Sequence, residues 1–283
     1  MSRPQPPIVV AHGAATDAGL RRRVNEDSFL AAAPLFLVAD GMGGHQAGEV
    51  ASAAVIEEFA RLAGLPALTI EDVQLSLRHA RRRVAELPLG DGAGAGTTLS
   101  GVVVASIEGE GYWLALNLGD SRTYRLSEDV LEQISVDHSV VQELIDSGEL
   151  DEASAAIDTR RNVITRAIGG GSDAQADYWL IPADEGDRIL ICSDGLSGEL
   201  DRAAIEAVLR AESDPQAAAT RLVHEAMLRG GRDNITAIVV DALQVRARDQ
   251  RTPERDTLPG GADAATDDID SDTRPRVAAG GTS

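Results

Sequence analysis

The links between apolar runs constrain this chain more than any other feature. Thr98–Ile107 and Tyr112–Leu118 are joined by "EGEG", and the link after Arg122–Leu126 reads "SED" before Leu131–Ile134 begins. Links this short join antiparallel neighbours, because a parallel crossover needs a dozen residues or more. Further runs of strand length lie at Ile8–Ala11, Ser28–Ala31, Leu35–Ala39, Asp177–Ile181, Arg188–Cys192 and Thr236–Asp241. Apolar residues at helical spacing interrupt them in "GEVASAAVIEEFARLAG", "IEDVQLSLRHARRRVAEL", "HSVVQELIDSGE", "RAAIEAVLRAE" and "DPQAAATRLVHEAMLRGG". The last opens on Asp214–Pro215, a cap followed by a first-turn proline. Strands in blocks and helices in pairs predict an α+β fold with helices packed on antiparallel sheets.

From about Asp241 the composition turns to Asp, Pro, Gly and Thr with few large apolar residues. Such a segment cannot bury enough to offset its ordering entropy. The expectation is a folded domain over 1–242 and a disordered acidic tail over 243–283.

A formal net charge of −20 argues against binding nucleic acid or an anionic membrane surface. All 26 basic residues are arginine. That excludes a P-loop, a protein kinase and Schiff-base chemistry, each of which needs a lysine. The single cysteine, Cys192, stands in the apolar run "RILIC" and reads as a core residue rather than a nucleophile. "MSRPQPPIVV" lacks the apolar stretch of a signal peptide, and no run reaches membrane-spanning length, so a cytoplasmic protein is expected.

Chemistry enters at the strand ends. The run Leu35–Ala39 stops on Asp40–Gly41, "LALNLGD" on Asp120, "RILICSD" on Asp194–Gly195, and Asp233 immediately precedes the run "NITAIVV". Glu26–Asp27 leads into another strand. One Asp–Gly after a strand is ordinary turn chemistry; four strand-edge aspartates beside tight turns are a pattern. If they converge, their repulsion demands a cation, and oxygen-only ligands select Mg²⁺ or Mn²⁺ over zinc. The five histidines, His12, His45, His79, His138 and His224, show no metal-type spacing. Arginine is the natural clamp for phosphate, and Arg21, Arg22 and Arg23 stand just before Glu26.

The ordered series "RRRVNEDSFL", "LFLVADGMGGHQAGE", "GAGTTLSGVVV", "LALNLGDSRTYRL", "VDHSVVQELIDSGEL", "NVITRAIGG", "ILICSDGLSGEL" and "GGRDNITAIVV" resembles the metal-dependent protein phosphatases of type 2C, most of all their bacterial serine/threonine branch. The resemblance implies two packed antiparallel β-sheets flanked by helix pairs, an α-β-β-α sandwich. It implies hydrolysis of phosphoserine or phosphothreonine on proteins by a hydroxide bridging two Mn²⁺ or Mg²⁺ ions, with a third, weaker metal. By the same resemblance Asp40 bridges the two metals with Gly41 lending its carbonyl, Asp194 and Asp233 complete the first metal's shell, and Glu26 and Asp27 serve the second metal, directly or through water. Asp120 matches the third metal's position, and Arg22 the phosphate-binding arginine. Animal members carry a histidine where Met42 stands, so the general acid is open: His45, or a metal-bound water. The segment from about His138 to Thr165 is expected to form a flap beside the site. The implied partners are phosphorylated protein substrates and a cognate serine/threonine kinase. Two alternatives stand beside this reading: a catalytically silent regulatory binding module on the same fold, and a phosphatase of anti-sigma-factor antagonists.

Overall fold

The computed structural model describes residues 5–43, 47–87, 94–151, 154–155, 158–160, 163–170 and 175–246. Two antiparallel sheets lie face to face. The first is ordered β1 (Ile8–Asp17), β12 (Ile235–Val245), β11 (Arg188–Cys192), β7 (Arg122–Ser127), β8 (Val130–Gln133). The second runs β10 (Asp177–Pro182), β6 (Glu110–Leu118), β5 (Leu99–Ile107), β3 (Leu35–Met42), β4 (Gly96–Thr97), β9 (Ile168–Gly169), with β2 (Asp27–Ala32) on the other side of β3. Helices α1 (Ala47–Ala60) and α2 (Ile70–Ala85) cover the second sheet. α3 (Val140–Asp146) follows β8, and the one-turn α4 (Asp194–Ser197) follows β11. α5 (Arg202–Ala211) and α6 (Pro215–Arg229) cover the first sheet.

The short links work as their sequences predict. Glu108 (φ 52°) and Gly109 (φ 89°) close β5 onto β6, and Glu128 (φ 45°) and Asp129 (φ 64°) close β7 onto β8. Two successive left-handed residues match the twist of the strands they join. Neither Glu128 nor Asp129 is a glycine, so that turn is strained; Arg210 of α5 holds it by bonding both the Asp129 carboxylate and its carbonyl.

Strand alternation sorts the apolar residues into three layers. On β3, Leu35, Leu37 and Ala39 face α1 and α2, whereas Phe36 and Val38 face the other sheet. Between the sheets they meet Val102, Val104, Trp113, Ile189, Ile191 and Ile238. Beyond them, Leu190, Cys192, Ala237 and Val239 pack under α5 and α6. Each large side chain buried this way is worth about 1.5–3 kcal/mol. Cys192 is fully buried, and burial pushes its thiol up to about 12, so it is inert at neutral pH. The helix caps follow the sequence: Thr69 and Asp72 form a reciprocal capping box, and Asp201 and Asp214 cap α5 and α6.

The architecture is the expected α-β-β-α sandwich. Strand β12 continues to Val245, which pairs with Ile8, so Leu243–Val245 belong to the first sheet. The rest of the expected tail, 247–283, lies outside the described residues. Among the described residues no helix is long and apolar enough to cross a membrane.

Candidate active site

The alternation that sends Phe36 and Val38 between the sheets does the same for Asp40, two residues on. At this end the inter-sheet layer turns polar. Thr98 and Ser100 of the second sheet touch Ser121 and Thr123 of the first through hydroxyl pairs of 2.8 and 3.1 Å. Asp40 is held at both backbone groups: its N–H donates to Thr98 Oγ1, and its carbonyl accepts from Thr98 N–H and Thr97 Oγ1, each at 2.9 Å. Gly41 N–H donates to the Glu26 carbonyl at 3.1 Å. A Cβ on Gly41 would stand 2.3 Å from the Gly48 carbonyl oxygen, so only glycine fits that crossing.

Strand pairing sets Asp27 opposite Asp40. One oxygen of Asp27 accepts from Thr236 Oγ1 (2.6 Å) and Ser193 Oγ (2.8 Å); the other is buried with no hydrogen-bond partner. Asp194 opens α4 at the end of β11, and Asp120 follows β6 with one buried oxygen also unpartnered. Arg22 reaches Asp233 at 2.7 Å. Asn234 holds the Arg22 loop in place: its Nδ2 donates to the carbonyls of Ala18 (3.0 Å) and Val24 (2.9 Å), and its Oδ1 accepts from Glu26 N–H (2.8 Å). Gly19 (φ +77°) lets that loop touch the Asp233 backbone, where a Cβ would come within 2.1 Å of the carbonyl oxygen.

These acids are supplied with too few donors. Burial, then the charges of Asp27 and Asp194, raises Asp40 well above the carboxylate range. Burial pushes Asp27 up to about 7 despite its two hydroxyl donors. Burial, followed by Asp194 and Asp137, pushes Asp120 up to about 8. Asp194 is raised by burial and then Asp233, partly offset by a hydrogen bond with Asp40. Glu26 is raised chiefly by burial. A proton shared by Asp40 and Asp194 is how such a pair is tolerated without a cation.

Two orphaned buried oxygens and an oxygen-only donor set fit hard divalent cations. Among the described residues no three of these side chains already close on one point. Asp233 is paired with Arg22, and Asp40 with Asp194 through a hydrogen bond, so a cation and these carboxylates would complete each other. The structure thus brings Glu26, Asp27, Asp40, Gly41, Asp120, Asp194, Asp233 and Arg22 to one end of the sandwich. His45 lies outside the described residues.

Several further contributors lie within the quoted motifs, yet nothing local in the sequence assigns them a role. Ser193 and Thr236 orient Asp27. His138 accepts from Gly119 N–H at Nδ1 (3.2 Å), which leaves Nε2 to donate to Asp177 (3.2 Å). It thereby ties the base of the 138–165 segment to the residue before Asp120. Arg122 grips Asp137 through Nε (3.0 Å to each oxygen) and Nη2 (2.7 Å). A cleft of ≈ 690 Å³ is lined by Asp120 and Asp194, by Gln142 and Ile145 of α3, and by Glu199 and Arg229.

Two sheets delivering carboxylates to one end, with an arginine arm across them, define a class: a divalent-cation centre built for phosphate. Residues 21–229 match the family model described as Protein phosphatase 2C, and the chain belongs to that family. It is 34% identical to the serine/threonine phosphatase stp of Listeria innocua over 251 residues, covering 83% of this chain and 97% of that protein. It is 37% identical to the serine/threonine protein phosphatase PstP of Mycobacterium tuberculosis over 280 residues, spanning 96% of this chain but 51% of that protein. Among solved structures, the catalytic domain of PstP in complex with two manganese ions aligns with TM-score 0.75 at 35% identity, over 84% of this chain and all of that one.

Proposed function

We propose that the chain is a metal-dependent serine/threonine protein phosphatase whose working residues are those gathered at the acidic end of the sandwich. The observation that carries this reading is the pair of buried carboxylate oxygens on Asp27 and Asp120 that no protein donor satisfies. Asp40, Asp194 and Asp233 would hold one Mn²⁺ or Mg²⁺, and Asp40 with the Gly41 carbonyl, Glu26 and Asp27 a second. Asp120 would serve a weaker third. When bound, such ions polarise phosphate oxygens and acidify water.

The chain's own residues do the rest. Arg22 presents a planar fork of donors that fits two phosphate oxygens, and its bond to Asp233 aims it across the carboxylates. Asn234 keeps the Arg22 loop and Glu26 in register with Asp233. Ser193 and Thr236 fix the Asp27 carboxylate with one oxygen free. The Thr97 and Thr98 bonds to the Asp40 backbone keep its side chain from retreating. The substrates are phosphoserine and phosphothreonine side chains of proteins. Their esters are made by phosphoryl transfer from a kinase, which this reading places as the partner activity in the cytoplasm.

The test is phosphate release from a phosphothreonine peptide by the wild type with Mn²⁺, by the wild type with EDTA, and by Asp194→Asn with Mn²⁺. Release is expected from the first only. If the wild type binds Mn²⁺ yet leaves several phosphopeptides intact, the silent binding module replaces the enzyme.

A further inference from the structure

Beside the acidic centre two segments bring several arginines together. The loop that carries Arg22 lies against the end of α6 and the turn that follows it: Leu20 N–H donates to the Gly231 carbonyl at 2.7 Å, and a Cβ on Gly231 would meet Leu20 Cγ and Met227 Sδ, each at 3.1 Å. These two segments bring together Arg21, Arg22, Arg23, Arg229 and Arg232 in a chain whose net charge is −20. Two of the five are neutralised, Arg22 by Asp233 and Arg232 by Glu199, the latter through Nε (2.8 Å) and Nη2 (2.9 Å). Arg21, Arg23 and Arg229 are exposed, and their side chains make no ion pair or hydrogen bond among the described residues. Arg229 also lines the cleft to which Asp120, Asp194 and Glu199 contribute. Arg21 lies close enough to Glu199 to influence its charge.

An unpaired guanidinium lining the same cleft as Asp120 and Asp194 is placed to meet the substrate rather than the phosphate being removed. We propose that Arg229, with Arg21 on the adjoining loop, binds a second anionic group on the substrate polypeptide, a glutamate or aspartate carboxylate or a further phosphate, a few residues from the phosphoserine or phosphothreonine. The preferred substrates are thus acidic or multiply phosphorylated segments. The arginines set preference and leave the hydrolytic machinery untouched. This inference rests on the phosphatase reading for its substrate class.

The test compares phosphothreonine peptides that differ only in flank: neutral, glutamate before or after, a second phosphothreonine, or arginine. Hydrolysis with Mn²⁺ is measured beside p-nitrophenyl phosphate, which has no flank, and peptide binding is followed by fluorescence anisotropy in EDTA. The wild type should favour anionic flanks in kcat/KM by about three- to fivefold at low salt, the size of an exposed charge pair, and lose the preference at high salt. Arg21→Ala with Arg229→Ala should abolish the preference, and Arg229→Glu should turn it toward arginine flanks, an inversion no folding defect imitates. p-Nitrophenyl phosphate turnover should stay unchanged in every variant. A preference for the second phosphate over glutamate identifies a dianion as the ligand; equal preference identifies any carboxylate or phosphate. Equal rates on neutral and anionic flanks in the wild type, or a preference that survives Arg229→Glu, overturns the assignment while the enzyme reading stands. Anionic peptides bound through Arg229 but never hydrolysed overturn the enzyme reading and keep the surface.

Discussion

Asp187 and Asp120 are both buried aspartates at the margins of the same sandwich, at opposite ends, and they differ in what surrounds them. Asp187, 1% exposed, receives Arg125 Nε at 2.9 Å, Trp113 Nε1 at 3.0 Å and the Asp184 N–H at 3.0 Å. Asp120, 6% exposed, keeps one oxygen without any partner. The first is a carboxylate the fold has fully satisfied, and it braces the end where the inter-sheet layer is apolar. The second belongs to a group whose like charges the fold has left undersupplied. Burial alone does not mark a functional acid; a buried acid short of donors does.

The contrast can be broken first at Asp194. Asp194→Asn should lower kcat/KM by on the order of 10³, about 4 kcal/mol of transition-state stabilisation. The same change should leave the metal-free protein as stable or more so, because it removes a like charge. Loss of activity with an equal loss of metal-free stability would show that Asp194 is structural like Asp187.

Asp187→Asn should behave in the opposite way. Arg125 loses its buried partner, so stability should fall by about 3 kcal/mol, read by urea unfolding, while kcat per folded molecule with Mn²⁺ is unchanged. A drop in kcat at full folding would erase the distinction between the two ends. Arg22→Ala is expected to cost about 10²-fold in kcat/KM, with Arg22→Lys recovering little because a point charge lacks the paired donors. Steady-state kinetics with Mn²⁺ would show a rescued lysine variant if charge alone mattered.

Most of the sandwich was legible because its signals are local. Alternation, two-residue turns and caps place the ten longer strands and five of the helices, most to within a few residues; Arg188–Cys192 falls where the apolar run does, whereas β1 runs on to Asp17, six residues past the expected Ala11, and β12 to Val245, four past Asp241. The strands Gly96–Thr97 and Ile168–Gly169 were not legible. They exist only because Gly41 and Met42 pair with 96–97 and these in turn with 168–169, contacts made by tertiary structure. The one-turn helix at Asp194 read as a plain turn for the same reason. At the site, the aspartates stood out at strand ends, yet nothing local joins Arg22 to Asp233 across 211 residues, or Asp27 to Thr236 across 209. Nothing in the sequence sets His138 apart from the other histidines; its part comes from the bond its ring accepts from Gly119 N–H.

The finest test of the contrast is pH. Asp27 is pushed to about 7 and Asp120 to about 8, and Asp40 and Asp194 are raised as well, all with burial as the first cause. Each group therefore binds its proton more tightly folded than unfolded. Its contribution is fully present below the unfolded carboxylate range near pH 4 and is lost as pH rises through the folded value. In EDTA, the melting temperature should fall by about 5 °C or more between pH 5 and pH 8. With Mn²⁺ the slope should flatten or reverse, because a cation binds the deprotonated carboxylates and gains affinity as they ionise. Scanning fluorimetry of wild type and Asp120→Asn separates the contributions: the variant should lose part of the fall near pH 8, whereas Asp187→Asn should keep all of it. A metal-free melting curve that is flat across this range would mean that these acids are already compensated by the protein, as Asp187 is, and that no cation is required to hold them together.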